Sequence, residues 1–162
     1  MVKEEIKVSP LEKVREYMKT LPFSLEIILF NESTHTSQLA AQALGVEVGQ
    51  IAKTLVFVGK DSQAVLVVTS GDMKVDQKKL KEVAGFKPRF ASAEEALALT
   101  GFPPGGVCPF AVPVTIPVFI DVSLERFPVV YAAAGTANSA VPITVPQLMT
   151  ATRGNMCDVC YC

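Results

Sequence analysis

The chain predicts an α+β fold with a curled, barrel-like mixed β-sheet and short flanking helices, and three observations carry that prediction. Apolar strand-like runs outnumber helical ones. The helical runs are short, each bounded by its own cap or glycine. Few strands are joined to the next through a helix, which argues against a doubly wound parallel sheet. At 162 residues, with 49% hydrophobic and 19% charged side chains, the chain suits one domain with a substantial core. That domain is read over residues 1–155, followed by a cysteine-bearing tail, 156–162.

Each element has a local reason. Ser9-Pro10 opens a helix through Lys19, with Leu11, Val14, Tyr17 and Met18 on one stripe. Leu25 to Phe30 reads as an apolar strand. Ser33 to Ser37 is a polar turn whose end caps a helix from Gln38 to Leu44, stopped by Gly45 in the left-handed conformation. A helical turn over Val48 to Ala52 leads into a strand, Lys53 to Val58. Asp61-Ser62 turns the chain, and Ala64 to Thr69 returns beside it as a hairpin. Asp76 caps a third helix ended by Gly85, and Arg89 to Ala91 is extended. Ser92 caps Ala93 to Leu99, with Glu94 and Glu95 in the first turn where the helix dipole favours them. Val118 to Val122, Val129 to Ala133 and Val141 to Val145 are three strands in succession. Pro146 then opens a last helix, Gln147 to Thr152.

Composition excludes several classes of function. No apolar run approaches the roughly 18 residues of a membrane span. The segment Met1 to Ile6 alternates charge and has no apolar signal block, so a cytoplasmic location is expected. Net charge is −1, from 15 basic and 16 acidic residues, against the basic surplus of a tight general nucleic-acid binder. Contact with RNA would therefore be local, at an end. His35 is the single histidine, so a two-histidine metal site is excluded and a Ser/His/Asp triad would have to recruit His35.

Two features stand out chemically. Lys53 heads an apolar strand, where its ammonium must reach solvent or meet an anion, because an unpaired buried charge is very costly. Gly101-Phe102-Pro103-Pro104-Gly105-Gly106-Val107-Cys108-Pro109 is too rich in glycine and proline to be plain spacing. A cation at a strand mouth, facing a loop with bare N–H groups, suits a small acyl ester next to phosphate. Gly105 and Gly106 read equally as turn glycines needing positive φ. Cys108 reads as an apolar filler, with a nucleophilic thiol as the alternative. Cys157-Asp158-Val159-Cys160 has the spacing of half a zinc site or a redox pair, and reads first as a frayed tail with reduced thiols.

The motifs Ala40 to Val46, Ile51 to Val56, Gly71-Asp72, Thr100 to Pro109, Ile120-Asp121 and Tyr131 to Gly135 occur in a telling order. In that order, from about Leu25 to Thr150, the chain resembles the YbaK/EbsC family of aminoacyl-tRNA deacylases, relatives of the editing domain of prolyl-tRNA synthetase. The resemblance implies hydrolysis, in trans, of the ester joining a misplaced amino acid to the 3′ end of a tRNA, without a cofactor. Cys- or Ala-tRNA(Pro) is the expected substrate type. A prolyl-tRNA synthetase is an admissible partner, and the oligomeric state is left open.

The implied site takes Lys53 and Gly105 as catalytic residues. His35, Thr36, Gly106, Asp121, Ser123, Gly135 and Asn138 are the substrate-binding residues, with no metal. Each has a plainer reading beside this one: His35 bonding within its loop, Asp121 capping the turn before Ser123, Asn138 as a turn residue, Asp72 likewise. Asn138-Ser139-Ala140 departs from the cysteinyl branch, which often has glycine and bulkier residues there. Lys74, Lys78, Lys79, Lys81, Lys87 and Arg89 form the candidate face for an acceptor stem, or a solvated helix surface. From another class altogether, a non-catalytic module holding an amino acid, a nucleotide or a synthetase is the alternative.

Overall fold

A computed structural model describes residues 8–162; the charged opening read over Met1 to Ile6 lies outside them. Helix α1 (Pro10–Met18) is capped by Ser9, as expected, and buries Val14 and Met18. Strand β1 (Ile28–Leu29) is shorter than the apolar run that contains it. Helix α2 (Ser37–Leu44) is capped by Thr36, one residue earlier than expected, and stops at Gly45 with φ +71°. A 3₁₀ turn, Val48–Gln50, feeds strand β2 (Ile51–Val58). Strands β3 (Ala64–Ser70) and β4 (Lys74–Val75) follow, then helix α3 (Gln77–Ala84), capped by Asp76. Strand β5 (Arg89–Phe90) precedes helix α4 (Ala93–Thr100), whose capping box pairs Ser92 with Glu95.

After the glycine loop come β6 (Val118–Asp121), β7 (Val130–Ala132) and β8 (Ser139–Ile143). Helix α5 (Val145–Thr152) is capped by Thr144, so β8 starts and ends two residues before the expected strand. The polar Ser139 hides that start from an apolar count. Strands β9 (Asn155–Cys157) and β10 (Cys160–Tyr161) close the chain.

The strands form a curled mixed sheet ordered β1-β8-β7-β2-β3-β6-β9, with β5 also on β2. β2 and β3 make the expected hairpin, Lys53 opposite Thr69, while β2–β7, β3–β6 and β6–β9 are parallel. One face of β2 and β3 (Ala52, Val56, Leu66, Val68) packs on the main core with Phe102, Phe110, Ile120 and Leu148. The other face joins a smaller cluster of Phe57, Val65, Val67 and Leu80.

The frayed-tail reading is corrected here. Cys157, Val159 and Cys160 are buried, β9 pairs with β6, and β10 pairs with β4. The Asp76 N–H donates to the Val159 carbonyl at 2.7 Å, and the Val159 N–H to Asp121 Oδ1 at 2.9 Å. Among the described residues, no three His, Cys, Asp or Glu side chains are grouped to hold a metal.

Candidate active site

The sheet opens at one place. The β2–β7 ladder ends at Ala52 opposite Ala132, and β5 does not meet β2 until Phe57. The intervening edge of β2 faces a cavity of about 280 Å³. The loop before α2 (His35, Thr36, Ser37), the strand residues Ile51 to Leu55, Gly105 and Val107, and Tyr131, Ser139 and Ala140 line it. Lys53 and the glycine loop thus share one cavity. A larger depression, about 530 Å³, lies between Arg15 and Ile27 and holds none of the residues singled out by sequence.

Lys53 shares a face with Ile51 and Leu55 by strand alternation. Its ammonium donates to the Met73 carbonyl at 2.7 Å. Burial lowers its pKa from the ordinary lysine value; nearby Cys160 and Asp72 oppose that shift, and Lys74 adds to it. Asp72 is more than a turn residue, because it holds Arg126 through two bonds of 2.7 and 3.1 Å. Arg126 keeps the Asp72 carboxyl below its usual range. The carboxylate near Lys53 is therefore already paired, and the ammonium has donors to spare for an anionic ligand.

The glycine loop is a turn held by its ends. Phe102, Cys108 and Phe110 are fully buried, and Lys13 lies over the Phe102 ring while donating to the Thr100 carbonyl. The Gly106 N–H donates to the Pro103 carbonyl at 3.0 Å, across Pro104 and a Gly105 with φ +79°. Pro second and positive φ third is the type II pattern, so Gly105 meets the expected need. Gly106 does not: its φ is not positive, and a Cβ there would sit 2.6 Å from the Gly135 carbonyl oxygen. Close backbone approach is what it serves. Its N–H is also committed to the turn, whereas Gly105 and Val107 line the cavity and their N–H groups have no described hydrogen bond.

His35 and Thr36 reach the cavity as expected. His35 Nδ1 lies 2.9 Å from Ser33 Oγ, Nε2 has no described hydrogen bond, and Thr36 Oγ1 caps α2. The other five predicted binding residues, Gly106 included, are not among the cavity's lining. Asn138 ties its loop to Phe30 through Nδ2 at 3.1 Å. Gly135 packs against Phe102, and a Cβ on it would meet the Pro10 carbonyl at 2.9 Å. Asp121 is buried on β6, two strands from the open edge, and accepts from the Ser123 and Val159 N–H groups. Ser123 Oγ accepts from the Ser70 N–H. The plainer readings of Asp121 and Asn138 match these contacts. Cys108, fully buried, has its thiol pushed up to about 12 by desolvation, which removes it as a nucleophile.

Sequence reasoning missed Thr54. Its Oγ1 is buried without a partner. The Ala91 N–H donates to the Val56 carbonyl, so by alternation the Thr54 N–H and C=O point to the same edge, into the gap. An unsatisfied buried polar group costs about 1–3 kcal/mol, and several at one cavity wall mark where a ligand can bond. The only signal in the sequence was its place beside Lys53.

The family described as the aminoacyl-tRNA editing domain matches residues 31–151, which include every cavity residue named above. The chain belongs to this family. The editing domain is 40% identical over 138 residues to the uncharacterized protein YwhH of Bacillus subtilis, covering 85% of this chain and 88% of that one. It is 23% identical over 158 residues to the Enterococcus faecalis protein named "Putative Cys-tRNA(Pro)/Cys-tRNA(Cys) deacylase EbsC", covering 97% and 95%. A solved structure titled "Crystal structure of a putative trans-editing enzyme for prolyl tRNA synthetase" superposes with TM-score 0.87 at 35% identity, covering 96% of this editing domain and 100% of that chain.

Proposed function

We propose that this editing domain hydrolyses the ester of a misacylated tRNA in trans, with the acylated 3′ end seated at the split edge of β2. The observation that supports it is the meeting of Lys53, His35, Thr36 and Gly105 around one cavity. An aminoacyl ester is already activated, so hydrolysis needs position and charge stabilisation more than a strong nucleophile. Lys53 supplies the cation for the terminal ribose or phosphate. The Gly105 and Val107 N–H groups face the carbonyl oxygen as charge develops on it, and water or a group of the substrate attacks. Attack by water releases the free amino acid, attack by the substrate's own side-chain group releases it cyclised, and either leaves the tRNA with its hydroxyl restored.

Ala40, Ala52, Ala132, Ala133 and Ala140 line the cavity, and Lys53 is its sole Lys, Arg, Asp or Glu residue. That lining favours a small neutral side chain, and Cys- or Ala-tRNA(Pro) is the substrate we assign. One methylene changes discrimination in such a pocket by roughly 1–3 kcal/mol. A panel of tRNAs charged with cysteine, alanine, serine, threonine and proline tests this. Release of cysteine or alanine from tRNA(Pro), with proline retained, is expected; binding without turnover of any species would overturn it. Lys53→Ala should abolish release while leaving the melting temperature unchanged within a few degrees.

A further inference from the structure

The second half of the C-terminal pair Cys157 and Cys160 has a place that the reading of the site does not use. Lys53 lies opposite Thr69 in the β2–β3 ladder. Leu66 donates its N–H away from β2, to the Pro117 carbonyl, so alternation makes Lys53 and Thr69 a mutually bonded pair whose side chains rise together on one face. Thr69 is fully buried, and its Oγ1 lies 2.9 Å from Cys160 Sγ. Cys160 is also opposite Val75 on β4, two residues after Met73, whose carbonyl takes the Lys53 ammonium. One residue thus touches both the strand beside the lysine stem and the segment that holds its head.

The cysteine is itself held firmly. Val159, next to it, is fully buried, with its N–H on Asp121 and its carbonyl on the Asp76 N–H. Both anchors come from elements other than β2, so the C-terminal turn acts as a fixed wall. A four-carbon side chain has several rotamers open to it, and a wall along one side removes those that carry the amine away from the cavity.

We propose that Cys160, bonded to Thr69, is a positioning residue for Lys53, and that the last strand is thereby part of the catalytic apparatus. The inference rests on the assignment of Lys53 to the site. It gives the buried Cys160 a task other than metal ligation or disulfide exchange.

Full-length protein carrying Cys160→Val, Cys160→Ser, Thr69→Val or Thr69→Ser tests it, with Lys53→Ala alongside. The probe is the misacylated tRNA that the wild type turns over, and the ¹³Cε signal of Lys53 is followed by NMR against pH. Cys160→Val and Thr69→Val should lower kcat at least about tenfold, within the ~100-fold that a misplacement of one ångström costs, with KM changed less than about threefold. Both should move the Lys53 titration to lower pH, because dipoles beside the ammonium are replaced by methyls. Cys160→Ser and Thr69→Ser keep a polar partner and should restore both readouts. Wild-type kcat and an unmoved titration in a folded Cys160→Val protein would overturn the proposal. If that variant does not fold, the same result in Thr69→Val does so. Turnover retained by Lys53→Ala would instead reject the assignment of Lys53, while the titration would still report whether Cys160 sets its surroundings.

Discussion

Adding one methyl group at Gly105 separates the backbone requirement of the glycine loop from its fit against the cavity. Gly105 and Gly85 share nearly the same positive φ, +79° and +82°. Around Gly85 a Cβ would meet nothing within 4 Å; at Gly105 it would lie 2.8 Å from His35 Cβ and 3.2 Å from Ala137 Cβ. Alanine in the left-handed region costs about 1–2 kcal/mol, less the roughly 0.4–1 kcal/mol gained from a stiffer unfolded chain. Gly85→Ala should therefore lose about 1 kcal/mol and no activity. Gly105→Ala carries the same strain plus an overpacking cost of about 1–3 kcal/mol. The close atoms are the Cβ and Cα of His35, so relief requires the His35 loop itself to shift. A total loss of about 2–4 kcal/mol is expected, together with a fall in deacylation of at least about tenfold. Urea denaturation measures the first quantity: at about 1–3 kcal/mol per molar, the two variants should differ in midpoint by at least ~0.3 M. Equal midpoints, or full turnover in Gly105→Ala, would refute the argument that loop and His35 are packed as one wall.

Lys53 has its pKa lowered by burial, so its ammonium should be lost at a lower pH than that of a free lysine. Enzymatic deacylation, corrected for spontaneous hydrolysis, should decline with pH before the ordinary lysine value of 10.5 is reached. In that window the unfolded chain binds the extra proton, so this group's contribution to stability rises with pH; urea midpoints of Lys53→Met should rise less there than those of the wild type. Cys108→Ser should turn over normally while losing about 1–3 kcal/mol, since a hydroxyl replaces a fully buried thiol; a lost burst of product in that variant would revive the nucleophile. Deleting residues 156–162 should cost several kcal/mol, the fully buried Val159 alone accounting for about 1.5–3, and a thermal melt unchanged by the deletion would contradict the sheet pairing of β9 and β10.

What could be read from the sequence was what is decided within a few residues. Gly45 and Gly85 end their helices with positive φ, as their positions foretell, and Ser9, Asp76 and Ser92 cap the helices that follow them. Lys53 and Gly105 are conspicuous for the same local reason: one charge in an apolar strand, one glycine between prolines and a second glycine. Long-range pairing was hidden. β9 is three residues long, and its partner Asp121 lies 36 residues before Cys157, so no periodicity announced it. Asp121 falls outside the cavity because β6 lies two strands from the open edge of β2, a pairing order that no local pattern declares. It follows Ile120, which faces the main core, and so turns to the side of Cys157 and Val159. Thr54 was invisible because its significance lies in bonds that the interrupted ladder leaves unmade.

In the proposed ester hydrolysis, that interruption stands in for the catalytic side chains that a chain with one histidine lacks. A parallel pair, β2 and β7, is joined for two residues and then splayed apart, and the bare edge so produced presents main-chain polar groups without any specialised side chain. On one side of it, Lys53 is braced through Thr69 and Met73. On the other, the type II turn is braced through Phe102, Cys108 and Phe110 in the main core and through Gly106 against Gly135. Both supports, a ladder pair with a hydrogen bond on one side and buried packing on the other, hold the site in place before substrate arrives, and dipoles fixed in advance are those that lower a barrier. Shortening the large apolar supports Phe102 or Phe110 should therefore lower stability and turnover together, whereas substitutions at Lys53 and Thr54 should lower turnover with little change in stability. A Phe102→Leu protein that melts at lower temperature yet deacylates at the wild-type rate would show that the loop keeps its shape without the core beneath it, and the division between support and site would not hold.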